Sequence, residues 1–204
     1  MPILKIKDLK KIYHTKKREI LAVDNFSFDL NSGEFIAIVG PSGCGKSTIL
    51  KMLCNLEDKS NGEINIEDNI HIGYMPQGDS LFEWRTVLKN CLLGLEINHN
   101  LNEESKKYVM QLLKTYGLED FINAYPSNLS GGMRQRVSLI RTLATKPDIL
   151  LLDEPFSALD YQTRLAVSDD VYKIIKKEKK SAIMVTHDIS EPIFQISMTI
   201  LKYK

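Results

Sequence analysis

The chain has 204 residues, of which 43% are hydrophobic and 26% are charged, which suits one compact domain spanning residues 1–204. The 27 Lys and Arg residues nearly balance the 26 Asp and Glu residues, so the net charge of +1 gives no bulk reason to expect nucleic acid as a partner. Its apolar runs are far shorter than the roughly 18 residues of a membrane-spanning helix, and the N-terminus lacks the pattern of a secretory leader. We therefore expect a cytosolic protein that does not itself cross a membrane. Three cysteines without Cys-x-x-Cys spacing predict neither a disulfide framework nor a zinc site.

The first third of the chain contains two different strand patterns. Residues 26–30 alternate between apolar and polar and are followed by the turn residues 31–33, which predicts a half-buried strand in an antiparallel hairpin arm. Residues 35–39 are apolar on both faces, as in a buried parallel strand, and lead directly into a glycine-rich loop.

The rest of the chain predicts helices followed by an alternating strand and helix order. Apolar residues at 109, 112, 113 and 116 form a helical stripe, and few strand patterns occur nearby, so we expect a helical subdomain at about 81–145. Two further buried strands, at 149–152 and 182–185, flank a helical stripe at 167–175. Strand, helix and strand in this order predict an α/β core with a parallel sheet.

The glycine-rich loop matches the phosphate-binding pattern G-x-x-x-x-G-K-[ST]. Its residues, with the one that follows, are Gly40, Pro41, Ser42, Gly43, Cys44, Gly45, Lys46, Ser47 and Thr48. In this motif backbone N–H groups and a helix N-terminus surround the phosphates. Lys46 is expected to reach the outer phosphates, and the hydroxyl of Ser47 is expected to bind Mg²⁺.

A second motif follows the strand at 149–152, where Asp153 and Glu154 stand at its carboxyl end. Ligands bind at this edge of α/β sheets. We expect Asp153 to hold Mg²⁺ through water and Glu154 to polarise the attacking water. The two motifs together predict a magnesium-dependent nucleoside triphosphatase.

A third motif indicates the family. The sequence LSGGMRQR at 129–136 resembles the signature sequence of ATP-binding cassette (ABC) ATPases, and SALD at 157–160 resembles their D-loop. The resemblance covers roughly residues 3–195. It implies a P-loop fold with a mostly parallel core sheet, an N-terminal antiparallel β arm and a helical insertion subdomain.

The same resemblance implies roles for residues that no pattern by itself assigns. Gln77 is similar to the Q-loop glutamine that contacts Mg²⁺ and the γ-phosphate, and His187 is similar to the switch histidine. Tyr13 stands where the family stacks an aromatic ring on adenine. Asp160 is expected to couple two sites.

The family resemblance also implies two copies of the chain. Ser130, Gly131 and Gly132 would form a second anion site that serves the ATP bound by another copy. Two cassettes would then pack head to tail around two ATP molecules, with Glu154 acting as general base or water positioner and His187 holding the γ-phosphate.

A local pattern favours a transport role. Residues 77–90, with Leu-Phe-Glu-Trp-Arg-Thr-Val at 81–87, are similar to importers of nitrate, sulfonate and taurine, a group that includes thiamine-precursor importers. This implies a membrane permease partner, an extracytoplasmic binding protein acting indirectly, and a position on the cytoplasmic face of the membrane. Trp84 and its neighbours either pack internally or contact the permease.

Two alternatives remain open from the sequence. One is an ABC-type ATPase that drives a machine other than a transporter, and the other is a C-terminally truncated cassette with impaired turnover. The second arises because the family continues beyond the segment that follows His187, whereas this chain has a short end in which residues 196, 198, 200 and 203 could form a terminal strand.

Overall fold

The computed structural model describes residues 2–16, 18–157 and 159–187, together with the backbone of 199–202. In these residues the chain forms an antiparallel sheet, a parallel sheet and helices that cover both faces of the latter. The strands are β1 (Leu4–His14), β2 (Glu19–Leu30), β3 (Phe35–Val39), β4 (Asn61–Ile66), β5 (Ile72–Met75), β6 (Ile149–Asp153), β7 (Ser181–Thr186) and β8 (Thr199–Lys202). The α-helices are α1 (Lys46–Leu53), α2 (Val87–Ile97), α3 (Glu103–Thr115), α4 (Gly131–Leu143) and α5 (Tyr161–Lys177).

The parallel sheet is the centre of the molecule and confirms the predicted α/β class. Its strand order is β5-β6-β7-β3-β8, and every neighbouring pair is parallel. Strands β3, β6 and β7 are buried along their whole length, which explains their continuous apolar sequences. Alternate residues of β6 face opposite layers, since Leu150 and Leu152 pack with the helices of the central segment, whereas Leu151 packs with α1 and the antiparallel sheet.

The antiparallel sheet has the order β2-β1-β4. The predicted arm is present, but its hairpin partner differs from the one that the turn at 31–33 suggests. Strand β2 pairs with β1, and the turn leads from β2 into β3, which belongs to the parallel sheet. The reason is that β3 is apolar on both faces and is covered only in the core, whereas β2 alternates and exposes one face.

The segment between β5 and β6 contains only helices and turns, as expected from its periodicity. It holds α2, α3 and α4 with two short 3-10 turns at Glu119–Phe121 and Pro126–Asn128. Thr86 and Asn102 cap α2 and α3, and Asn102 takes part in a reciprocal capping box with Ser105. In the described part of the chain, no helix combines the length and apolar character needed to cross a membrane.

The predicted terminal strand is present in part. Strand β8 pairs in parallel with β3 and extends the sheet at that edge. Residues 196, 198 and 203, which belong to the same predicted pattern, lie outside the described residues.

Candidate active site

The phosphate loop is shaped by a glycine that no other residue could replace without displacement. Gly45 caps the start of α1 with φ +100°, in the left-handed region. A Cβ at this position would lie 2.0 Å from the carbonyl oxygen of Ala22 in β2. The motif glycine therefore permits the loop to approach the antiparallel arm and to start α1 in the orientation that a phosphate site needs.

Lys46 lies inside this loop. Its side chain is only 3% exposed, and its ammonium donates hydrogen bonds to the carbonyl oxygens of Gly40, at 2.8 Å, and Pro41, at 2.9 Å. The same nitrogen lies 3.9 Å from Glu154 Oε1. The loop thus carries a buried positive charge at its centre, as phosphate binding requires.

Ser47 and Asp153 meet across the sheet edge. Ser47 Oγ donates a 2.7 Å hydrogen bond to Asp153 Oδ1, and Asp153 is 3% exposed. A hydroxyl and a carboxylate oxygen are ligands of the kind that Mg²⁺ prefers. The residues present therefore fit the predicted metal. The other oxygen of Asp153, Oδ2, accepts a 2.9 Å hydrogen bond from Tyr74 Oη.

Glu154 is the point where several predicted residues converge. Its backbone has φ +43°, in the left-handed region that residues other than glycine seldom adopt, and its N–H donates to Val185 O. Gln77 Nε2 donates to Glu154 Oε2 at 3.3 Å, and His187 Nδ1 lies 3.3 Å from the same oxygen. Residues following β5, β6 and β7 are brought together at this carboxylate, because the ends of parallel strands meet at one edge.

A cleft of about 410 Å³ opens above this cluster. Its lining comprises Tyr13, Ile20, Ala22, Ser42, Gly43, Gly45, Lys46, Ser47, Thr48, Gln77 and Glu154. Tyr13 places an aromatic ring on this wall, and Lys11 Nζ stands 4.8 Å from the ring centroid. Among the described residues, the lining does not include the predicted site residues Gly40, Pro41, Cys44, Asp153 and His187.

The signature residues occupy another place on the chain. Ser130 caps α4 and its hydroxyl accepts a hydrogen bond from Met133 N at 3.4 Å. A Cβ at Gly132 would lie 2.8 Å from Val167 of α5, so this glycine permits close packing of the two helices. Within the described residues, Ser130, Gly131 and Gly132 are absent from the lining of the cleft. The predicted residues around Glu154 therefore lie together, whereas Ser130, Gly131 and Gly132 lie at a separate place on the chain.

Asp160 lies close to this second set. It caps α5 by accepting a hydrogen bond from Thr163 N at 3.1 Å. Hydrogen bonding to the side chain of Thr163, and then to its backbone N–H, lowers the pKa of the Asp160 carboxyl. Leu159, which precedes Asp160 in the D-loop, has a side-chain carbon 2.9 Å from the position that a Cβ on Gly131 would take. Leu159 therefore packs against the start of α4.

Sequence reasoning missed two features of the site. Tyr74 was not identified, although it precedes Gln77 by three positions and lies on a strand that neighbours β6. The segment after Gln77 is also attached to α4, since Arg134 donates to Asp79 and Glu83. No sequence signal indicates either contact, since the first depends on the pairing of β5 with β6 and the second on the packing of α4.

Comparison with known proteins agrees with the geometry. The family model described as ABC transporter matches residues 23–157. The ABC transporter ATP-binding protein YtlC of Bacillus subtilis is 46% identical over 199 residues, covering 95% of this chain and 76% of that protein.

Two relatives carry names that state a transported compound. The nitrate import ATP-binding protein NrtD of Synechocystis is 37% identical, and the match covers 94% of this chain and 74% of that protein. The taurine import ATP-binding protein TauB of Rhizobium johnstonii is 40% identical, and the match covers 87% of this chain and 70% of that protein.

A solved structure is similar as well. The dimeric ATP-binding cassette MJ0796, in a post-hydrolysis state bound to ADP and Pi, superposes with a TM-score of 0.76 at 33% identity, covering 91% of this chain and 88% of that one. The chain therefore belongs to the ABC transporter family, as an ATP-binding subunit with the cassette ATPase fold and activity.

Proposed function

We propose that this chain is the ATP-hydrolysing subunit of an importer for a small molecule such as nitrate, a sulfonate, taurine or a thiamine precursor. Residues 1–204 would act as one nucleotide-binding domain with a helical subdomain at about 81–145. The observation that carries the proposal is the convergence of Lys46, Gln77 and His187 on the carboxylate of Glu154, which lines a cleft walled by the phosphate loop.

The cleft supports binding of ATP in one orientation. Tyr13 would stack on the adenine, and the loop from Gly40 to Thr48 would hold the phosphates with its N–H groups and with Lys46. Ser47, Asp153 and Gln77 would hold Mg²⁺. When bound, this ion would neutralise charge on the β- and γ-phosphates.

The side chains around Glu154 support a hydrolytic role. A carboxylate at this place can accept a proton from water or orient it for attack on the γ-phosphate. Gln77 and His187 both approach Glu154 Oε2, so they would hold the carboxylate and contact the water and the γ-phosphate. Lys46 lies near Oε1 and would balance the developing negative charge.

The separation of Ser130 from the cleft supports a site built from two copies. Ser130, Gly131 and Gly132 start α4, whose N-terminus favours anions. They would contact the γ-phosphate of ATP bound to the other copy, and Asp160 would couple the two sites. ATP would then hold the homodimer together, and hydrolysis would release it.

An exposed aromatic side chain supports a permease partner. Trp84 is 75% exposed and stacks on Phe82 with the ring centroids 4.8 Å apart. It lies in the segment between Gln77 and α2 that resembles the importer pattern. Large exposed aromatics anchor protein interfaces, so Trp84 would contact a membrane permease on the cytoplasmic face, with an extracytoplasmic binding protein acting through that permease.

The test separates hydrolysis from coupling. Glu154→Gln should lower Mg²⁺-dependent phosphate release from ATP by about 100-fold or more while retaining ATP binding, because only the proton acceptor is lost. Cells carrying this variant with the membrane subunit should lose uptake of the labelled compound that the wild type takes up, tested with nitrate, taurine and a sulfonate.

Trp84→Ala serves as the complementary variant. It should leave phosphate release by the isolated chain intact and reduce uptake. Unchanged uptake in Glu154→Gln cells would contradict the importer role, and wild-type phosphate release by Glu154→Gln would contradict the assignment of Glu154.

A further inference from the structure

Tyr74 contacts the carboxylate that the proposed function assigns to Mg²⁺. Its Oη donates to Asp153 Oδ2 at 2.9 Å, while Ser47 Oγ donates to Oδ1 at 2.7 Å. The two oxygens of this nearly fully buried carboxylate therefore each accept a hydrogen bond from a different hydroxyl.

The register of the parallel sheet produces this contact. Tyr74 in β5 pairs with Leu151 in β6, two residues before Asp153. Leu151 faces the layer that contains α1, and Asp153 shares that face because alternate residues of a strand point the same way. The phenol is long enough to reach along the strand to the next residue on this face.

We infer that Tyr74 is a positioning residue for Mg²⁺, which orients the Asp153 carboxylate toward Ser47 without touching the nucleotide. The inference rests on the proposed Mg²⁺ site. Within the described residues, Tyr74 is not part of the cleft lining. Hydrogen bonds that orient a metal-binding carboxylate raise metal affinity, and their loss commonly weakens binding about tenfold or more.

The test removes one oxygen atom. Purified full-length chain is saturated with a non-hydrolysable ATP analogue without metal, Mn²⁺ is added as the Mg²⁺ probe, and free Mn²⁺ is measured by electron paramagnetic resonance. Tyr74→Phe should raise the Mn²⁺ dissociation constant of the complex about tenfold, with analogue binding in EDTA unchanged. Tyr116→Phe is the matched control, since its Oη also donates to a carboxylate, Glu178 Oε1, at 3.1 Å, but remote from the cleft.

Asp153→Asn separates the two levels of the proposal. If the metal site is correct, Asp153→Asn weakens Mn²⁺ binding, and adding Tyr74→Phe to it has no further effect. Equal Mn²⁺ affinity in Tyr74→Phe and wild type would overturn only the role of Tyr74 and would leave the metal site in place. Unchanged affinity in Asp153→Asn would overturn the metal site itself.

Discussion

At the scale of single residues, Gly45 combines a left-handed backbone with a close approach to the carbonyl oxygen of Ala22. Gly45→Ala should lower the free energy of unfolding by about 1–3 kcal/mol through backbone strain alone. Displacement of the neighbouring strand adds to this loss and should weaken ATP binding. Thermal melting and ATP titration measure the two effects.

A matched glycine isolates the steric part of this effect. Gly33 has φ +74°, but a Cβ there would have no neighbour within 4 Å. Gly33→Ala should therefore cost only about 1–2 kcal/mol of left-handed strain and leave ATP binding unchanged. Equal losses in the two variants would show that the contact with Ala22 has no energetic role.

At the scale of elements, Arg134 joins α4 to the segment that follows Gln77. Its guanidinium donates to Asp79 Oδ2 at 2.6 Å and to Glu83 Oε1 at 2.6 Å, and the Arg134 and Asp79 side chains are about four-fifths buried. Arg134→Ala should lower the free energy of unfolding by about 1–3 kcal/mol, since it leaves Asp79 without its charged donor. Chemical denaturation of the two proteins measures this difference.

The difference in the free energy of unfolding between wild type and Arg134→Ala should decrease as the pH falls. Burial by itself would raise the pKa of Asp79, but hydrogen bonds from Arg134 and from Leu81 N–H outweigh it and lower that pKa. The stabilisation is therefore complete at neutral pH, above the unfolded value of about 3.9, and is lost as the pH falls through the lower folded pKa. Lys114→Ala, which removes an exposed pair with Glu119, should change stability by less than about 1 kcal/mol. A gap between wild type and Arg134→Ala that widens in acid would contradict this assignment.

At the scale of the whole molecule, Ser130 and the ATP cleft lie apart on one chain. We expect Glu154→Gln to form a dimer with ATP and to be monomeric without it, since blocked hydrolysis lets the closed form accumulate. Light scattering after size exclusion measures the mass. Ser130→Phe in this background should retain ATP binding and remain monomeric, because the bulky ring would obstruct the partner's γ-phosphate.

The outcome distinguishes the sources of dimer stability. A Glu154→Gln chain that binds ATP and remains monomeric would mean that closure needs the permease or further chain. A dimer unaffected by Ser130→Phe would contradict the contribution of the signature residues across the interface.

Much of the fold and site was predictable from local patterns. The strands β3, β6 and β7 were identified because residues buried on both faces must be apolar throughout. Lys46, Ser47 and Asp153 were predicted as site residues because a phosphate loop and a strand-end acid have characteristic sequences. The pairing of β2 with β1 was not predictable from the turn, since alternation indicates one buried face but does not specify the neighbour.

The sequence by itself determined the family and the phosphate loop, because each depends on motifs of a few consecutive positions. The approach of Gln77 and His187 to Glu154 depends on the parallel sheet, which brings the ends of β5, β6 and β7 to one edge. The contact of Tyr74 with Asp153 and the attachment of Arg134 to Asp79 were decided only by the tertiary structure. Their partners are 79 and 55 positions apart in the chain. Such contacts depend on strand register and helix packing, which many residues determine together.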